Sequence, residues 1–443
     1  MATRQETINR LEPAQAVPVS SATGSYTQPL AIVTTLFFMW GFLTSLNDIL
    51  VPHLKSIFDL SYTHVMLIQF AFFSAYFLFS VPWSRIVNRI GYQKTMVVGL
   101  LTMAAGAILF VPAASVPSFP LFLAALMILA AGITGLQVAA NPYVIVLGKP
   151  ETASSRLNLT QAFNSLGTTL APAVGGLLIL SAAPLAAEGL RQLSPQALQA
   201  FRLEQAASVK MPYIIISAAL ALLAVVMAKF KLPKIEQATC QIGQKINDSI
   251  WKYPNLLFGA LAIFAYVGAE VSIGSFLVSY FGQPEIAGFS PKVAAGYVSF
   301  YWGGAMVGRF IGAGVLQRFK TGHLLALCAL CTSTLVTVSM LTSGHFAMWS
   351  MIAVGFFNSI MFPSIFTLGV AELGCLTGNG SGLMNMAIVG GAIVPLIQGA
   401  VADSIGIHHA FFLPVICYVY ILFYALRGSR PNSVRYSQKP ANA

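Results

Sequence analysis

Along its length the chain alternates long apolar blocks with short polar intervals. Most blocks reach the roughly 20 residues that a helix rising about 1.5 Å per residue needs to cross the hydrocarbon of a bilayer. They lack the period-2 alternation of an outer-membrane barrel strand, and a backbone in lipid must satisfy its own hydrogen bonds. Helices are the consequence. The pattern predicts twelve, over 28–56, 64–86, 94–112, 119–147, 156–180, 211–230, 254–281, 292–316, 322–342, 346–372, 378–402 and 407–427. An even number of crossings puts both termini on one side.

The longest polar interval on that side, 231–253, divides the spans six and six. The expected organisation is a tail (1–27), a six-helix bundle (28–230), a linker (231–253), a second six-helix bundle (254–427) and a tail (428–443). An internal repeat supports the division. The run from Asn141 through Pro142 to Gly148 matches Phe362 through Pro363 to Gly369 at an offset of 221, and Asn164 pairs with Asn385 at the same offset. Pro172 and Gly176 then pair with Pro395 and Gly399 at 223, a two-residue insertion. Ordered matches across two successive spans point to duplication and to two parallel halves about an axis along the membrane normal. The long interval 181–210 on the opposite side is expected to hold a short surface helix, 192–207.

Composition agrees: 57% of residues are hydrophobic and only 8% charged, far from the roughly one quarter charged of a soluble domain. A net charge of +11 raises the question of a nucleic-acid partner. The placement of the cations answers it, because most of the 24 Lys and Arg fall on the side of the termini, which the positive-inside rule makes cytoplasmic. Residues 1–26 are polar and carry Glu6 and Glu12, so they read as a cytoplasmic tail and not as a signal peptide. Cys328 and Cys331 form a CxxC inside an apolar helix and read as packing.

Ionisable residues inside spans are costly and therefore functional candidates. Asp48 in the first span, beside Asn47, either titrates or holds a cation. Glu270 in the seventh span contacts substrate or offsets Arg309 of the eighth; their depths in the predicted spans leave the two roughly 10 Å apart along the membrane normal, which argues against a close pair but not against a bridged one. Neutral amides are more numerous: Gln137, Asn141, Gln161, Asn164, Asn358 and Asn385 all lie at span depth. Hydrocarbon satisfies none of their donors or acceptors, so they face the interior. Paired donors and acceptors suit a polyhydroxylated neutral solute, whereas an anionic one would call for several buried cations. Trp40, Tyr266, Tyr301 and Trp302 offer apolar faces of the kind that stack on a sugar ring. Pro142, Pro172, Pro363 and Pro395 interrupt regular helix bonding where spans bend.

These same residues carry a family likeness. The loop Asn88-Arg89-Ile90-Gly91-Tyr92-Gln93-Lys94 is a degraded form of the D-R-x-G-R-R/K signature of the major facilitator superfamily, with Asn88 where the acid is usual. Asn47-Asp48, the run Gln137 to Tyr143, the run Gln161 to Gly167 and the run Trp302 to Phe310 resemble the fucose/galactose/glucose symporter family within it. The resemblance covers 28–427 and implies the major facilitator fold, an all-α integral membrane protein with twelve transmembrane helices in two pseudo-symmetric bundles. It also implies a bacterial inner-membrane carrier for a monosaccharide, glucose or galactose before fucose, coupled to sodium or proton symport by alternating access. Fucose-carrying members associate a first-span aspartate, matched by Asp48, and a fourth-span glutamate with proton coupling. Gln137 stands at the glutamate's place.

The expected site is Gln137, Gln161, Asn164, Asn141, Glu270, Trp302, Asn358 and Asn385 on the sugar, with Asp48 and Asn47 on the coupling cation, sodium at Asp48 being one form of it. No resident cofactor, metal centre or nucleic acid enters this reading. The expected surroundings are membrane lipid, with the chain a monomer. An alternative is a drug or other small-solute exporter of the same superfamily. A membrane-embedded enzyme is disfavoured, because the six histidines sit at loops or span ends without an H-E-x-x-H or paired acidic motif.

Overall fold

A computed structural model describes residues 26–58, 62–115, 118–179, 194, 196–197, 210–230, 232–233 and 249–430, with the backbone alone for 44, 46–58, 62–67, 69 and 172–179. The expected tails, most of the linker and most of the 192–207 helix lie outside the described residues.

Among the described residues the chain is helical, in twelve successive crossings. In the first half these are α1 (Thr27–Phe58), α2 (Tyr62–Ile90), α3 (Tyr92–Ser115), α4 (Phe119–Val146), α5 (Ala153–Ile179) and α6 (Lys210–Lys229). In the second they are α7 (Pro254–Phe281), α8 (Pro291–Val315), α9 (Thr321–Leu341), α10 (Gly344–Gly369), α11 (Gly374–Ile405) and α12 (Ile407–Gly428). Nine are long and apolar enough to cross a membrane over their described residues. The other three are α1, α5 and α8. For α5 the cause is a dense series of Ser, Thr, Asn and Gln, and for α8 it is Lys292, Arg309 and six glycines.

Packing repeats between the halves. Helix α1 lies on α5 as α7 lies on α11, and α3 lies on α4 and α6 as α9 lies on α10 and α12. Equivalent glycines make equivalent close approaches: a Cβ at Gly167 would strike the Phe38 carbonyl, and one at Gly390 would strike that of Phe264. Only a residue without a side chain lets these backbones touch.

Two seams join the halves, α2 against α11 and α5 against α8. Asn88 Nδ2 donates to Asn379 Oδ1 at 2.5 Å across the first, and Ser155 Oγ donates to the Ala313 carbonyl at 2.6 Å across the second. Thr321 Oγ1 donates to Ser154 Oγ at 3.0 Å beside the latter. These bonds sit at the helix ends carrying Arg85, Arg89, Lys94, Arg318 and Lys320, here termed the basic face. The halves are shut against each other there.

Two expected spans are interrupted. Helix α10 breaks at Ser359 and Ile360, and α11 passes through a 3-10 turn at Ala387–Val389. The first break follows from Pro363, whose missing N–H leaves the Ser359 carbonyl without its helical donor.

Candidate functional site

Polar residues on α5 recur at helical spacing, so Asn158, Gln161 and Ser165 share the face turned to α8. Asn158 Nδ2 donates to the Arg309 carbonyl at 2.7 Å, and the Arg309 guanidinium donates through Nη1 to Ser165 Oγ. Gln161 lies between these two contacts, and its Nε2 is buried without a hydrogen-bond partner. Asn164 turns the other way, toward α1, where Nδ2 donates to the Phe37 carbonyl at 2.9 Å. Part of that amide therefore serves to join α1 and α5.

On α4, Gln137 Nε2 donates to Tyr76 Oη at 2.7 Å, with Trp40 hydrogen-bonded to the same tyrosine. Its Oε1 is buried and unspent, as are both amide atoms of Asn141 one turn on. The second half repeats the arrangement: Asn358 Nδ2 donates to Tyr301 Oη at 2.9 Å and leaves Oδ1 unspent. The two amides stand at the repeat offset of 221. Of their tyrosine partners, Tyr301 stands out in the sequence only for its ring face, and Tyr76 not at all, since a Tyr amid Phe reads as packing.

The matched prolines act alike. Pro142 frees the Val138 carbonyl, which accepts from Ser381 Oγ of the other half at 2.9 Å. Pro363 frees the Ser359 carbonyl, which accepts from Arg309 Nε at 3.3 Å. In each half a proline, expected only to bend its span, also supplies an acceptor between helices.

Glu270 and Arg309 form a closer pair than the roughly 10 Å separation in depth led one to expect: Nη2 lies 3.7 Å from Oε1. That estimate set both spans upright with level centres and ignored the reach of two long side chains. Tyr266 Oη sits 2.8 Å from Glu270 Oε1 and 3.1 Å from the Asn358 carbonyl. Tyr266 and Tyr301 are wholly buried, so their rings pack and offer no open face. Trp302 differs; it is 44% exposed, stands two turns from Arg309 on the same face of α8, and covers Gly274 at 2.9 Å from the Cβ position. Asn385 is buried with Nδ2 returned to Ser381 of its own helix at 2.9 Å and Oδ1 unspent. Asn47 and Asp48 are on helical backbone in α1, and their side chains lie outside the described residues.

Sequence reasoning passed over Tyr76, Asn158, Ser165 and Gln398. Gln398 is fully buried on α11 with both amide atoms unspent. Its signal was the same as that of the other amides. An apolar groove of about 430 Å³ between α1 and α5, lined by Leu30, Thr34, Phe38, Leu159 and Phe163 among others, contains none of these amides. Among the described residues no group of three or more His, Cys, Asp or Glu is placed to hold a metal ion.

The arrangement is a pair of repeated bundles that carry buried amides with spare hydrogen-bonding capacity near mid-span and meet at a seam crossed by the Arg309 guanidinium. Comparisons with known proteins agree in fold and arrangement. The family model described as Major Facilitator Superfamily matches residues 32–388. The glucose/galactose transporter of Brucella abortus is 52% identical over 411 residues, 93% of this chain and 96% of that protein. The L-fucose-proton symporter of Escherichia coli is 35% identical over 408 residues, 90% of this chain and 93% of that one. The crystal structure of FucP in the outward conformation superposes with a TM-score of 0.85 at 35% identity, covering 92% of this chain and 100% of that one. A duplicated twelve-helix chain, shut on its basic face and matched in sequence and shape over nearly its whole length, belongs to the major facilitator superfamily.

Proposed function

We propose that this chain is a secondary active transporter that takes up a monosaccharide, glucose or galactose, with a cation by alternating access. The observation that carries the reading is the set of buried amide atoms left unspent by Gln137, Asn141, Gln161 and Asn358. A hexose offers several hydroxyls, each both donor and acceptor, and meets such atoms in pairs. Unspent buried amides cost free energy in the empty protein, and a ligand that satisfies them recovers it. The glucose/galactose transporter and the L-fucose-proton symporter, at 52% and 35% identity, support a sugar as the solute.

The basic face is cytoplasmic on the positive-inside rule, with both termini on that side of a bacterial inner membrane. The closed seams then correspond to an outward-facing state, open to sugar from outside. Gln137, Asn141, Gln161 and Asn164 bind sugar from the first half; Glu270, Trp302, Asn358 and Asn385 act from the second. Asp48, beside Asn47, takes the coupling sodium or proton. The protein works as a monomer in lipid and needs no resident cofactor. Quenching of intrinsic tryptophan fluorescence in detergent tests the solute class, since Trp40 bonds Tyr76, the partner of Gln137, and Trp302 packs on Tyr301, the partner of Asn358. Saturable quenching by glucose or galactose is expected; quenching by lipophilic cations alone would favour an exporter instead.

A further inference from the structure

Arg309 is held from both halves at once. Its Nη1 donates to Ser165 Oγ of α5 in the first half, while its Nε donates to the Ser359 carbonyl of α10 in its own half. Glu270 of α7, also in its own half, stands at 3.7 Å, beyond hydrogen-bond length. One of the guanidinium's three contacts thus crosses the seam that must part when the basic face opens; the residue's backbone is tied across the same seam by Asn158 Nδ2 on the Arg309 carbonyl at 2.7 Å.

We propose that Arg309 exchanges partners during transport, with Ser165 holding it while the basic face is shut and Glu270 taking it up when the face opens. The inference rests on the alternating-access reading. Separation of α5 from α8 removes Ser165 but leaves Ser359 and Glu270, which travel with Arg309 as one bundle. A guanidinium stripped of one partner in a largely buried site is driven toward the nearest remaining acceptor, and the pair at 3.7 Å has room to close. Two features hold the charge ready for this. Pro363 keeps the Ser359 carbonyl out of the α10 ladder for Nε, and Tyr266 keeps Glu270 aimed by its hydroxyl at 2.8 Å. At the corresponding level of the other seam Ser84 packs on Gly382, small group against small group. Ser165 and Glu270 are therefore positioning residues acting through Arg309, at opposite ends of one conformational equilibrium.

The test is the open-to-closed ratio of the full-length protein in lipid nanodiscs without sugar. It is read from nitroxide distances between Glu151→Cys and Gln317→Cys, both exposed on the basic face, with the native cysteines replaced by alanine. Ser165→Ala should raise the open fraction roughly tenfold and Ser165→Thr, which keeps the hydroxyl, should restore it. Glu270→Gln, which keeps a bond to Tyr266 but loses the charge, should lower the open fraction by a similar factor. Shifts of both variants in one direction, no shift in either, or failure of Ser165→Thr to differ from Ser165→Ala would overturn the exchange. Because no sugar is present, the result stands whichever solute is carried, and a wrong substrate assignment is told apart from a wrong exchange.

Discussion

The two amide–tyrosine pairs give a prediction whose size follows from their geometry. Tyr76→Phe and Tyr301→Phe each delete one hydroxyl, leaving Gln137 Nε2 and Asn358 Nδ2 without the acceptors now at 2.7 and 2.9 Å. Both amides are essentially unexposed in this structure, which limits replacement of the lost partner by water. Each substitution should cost about 1–3 kcal/mol, the penalty of an orphaned buried donor. Replacing both members removes the Gln137 orphan along with the bond, while the loss at Trp40 is common to Tyr76→Phe and the double variant and cancels from the coupling. The double variant Tyr76→Phe/Gln137→Leu should accordingly cost less than its two single changes summed, with a coupling of about 1–2 kcal/mol. Equilibrium unfolding in mixed micelles measures all three. Additivity within about 0.3 kcal/mol would mean that the amide and the phenol do not share a bond, and would refute the reasoning.

Asp48→Asn should abolish gradient-driven accumulation while sparing sugar exchange, because an amide neither releases a proton nor balances a cation; accumulation by the variant would remove the coupling role. Glucose 6-phosphate should fail to compete with labelled glucose in uptake assays, since the one guanidinium at the seam is engaged by Ser165 and Ser359; equal competition would contradict the neutral-solute argument. Gly390→Ala should destabilise the second half by about 1–3 kcal/mol by pushing α11 from the Phe264 backbone. Gly296→Ala, with nothing within 4 Å of its Cβ position, should be neutral or slightly stabilising in the same unfolding assay.

Span positions were legible to within a few residues because length and hydropathy dictate them; the predicted 254–281 coincides with α7 as formed. Duplication was legible in Asn-Pro and Phe-Pro runs, and the structure gives it meaning through matched packing and matched amides. The amides could be found because hydrocarbon makes any amide conspicuous. Their pairing could not: Tyr76 is one aromatic residue among others, Tyr301 stands out for its ring and not its hydroxyl, and only a distance shows which hydroxyl meets which amide. Asn164 illustrates a different limit, since one nitrogen of a residue marked for the solute is spent on the Phe37 carbonyl. Arg309 illustrates a third. Its separation from Glu270 depends on tilt and side-chain reach, which a linear depth scale ignores, and its hold on Ser165 joins helices from different halves.

The central claim is cation-coupled sugar uptake, and transport by the purified protein in proteoliposomes tests it most directly. Labelled glucose or galactose is supplied with an inward sodium gradient or an inward proton gradient imposed separately. The account predicts accumulation above the external concentration with one of the two gradients, collapsing when an ionophore dissipates it. Equilibration without accumulation under either gradient, or no sugar entry at all, would contradict it.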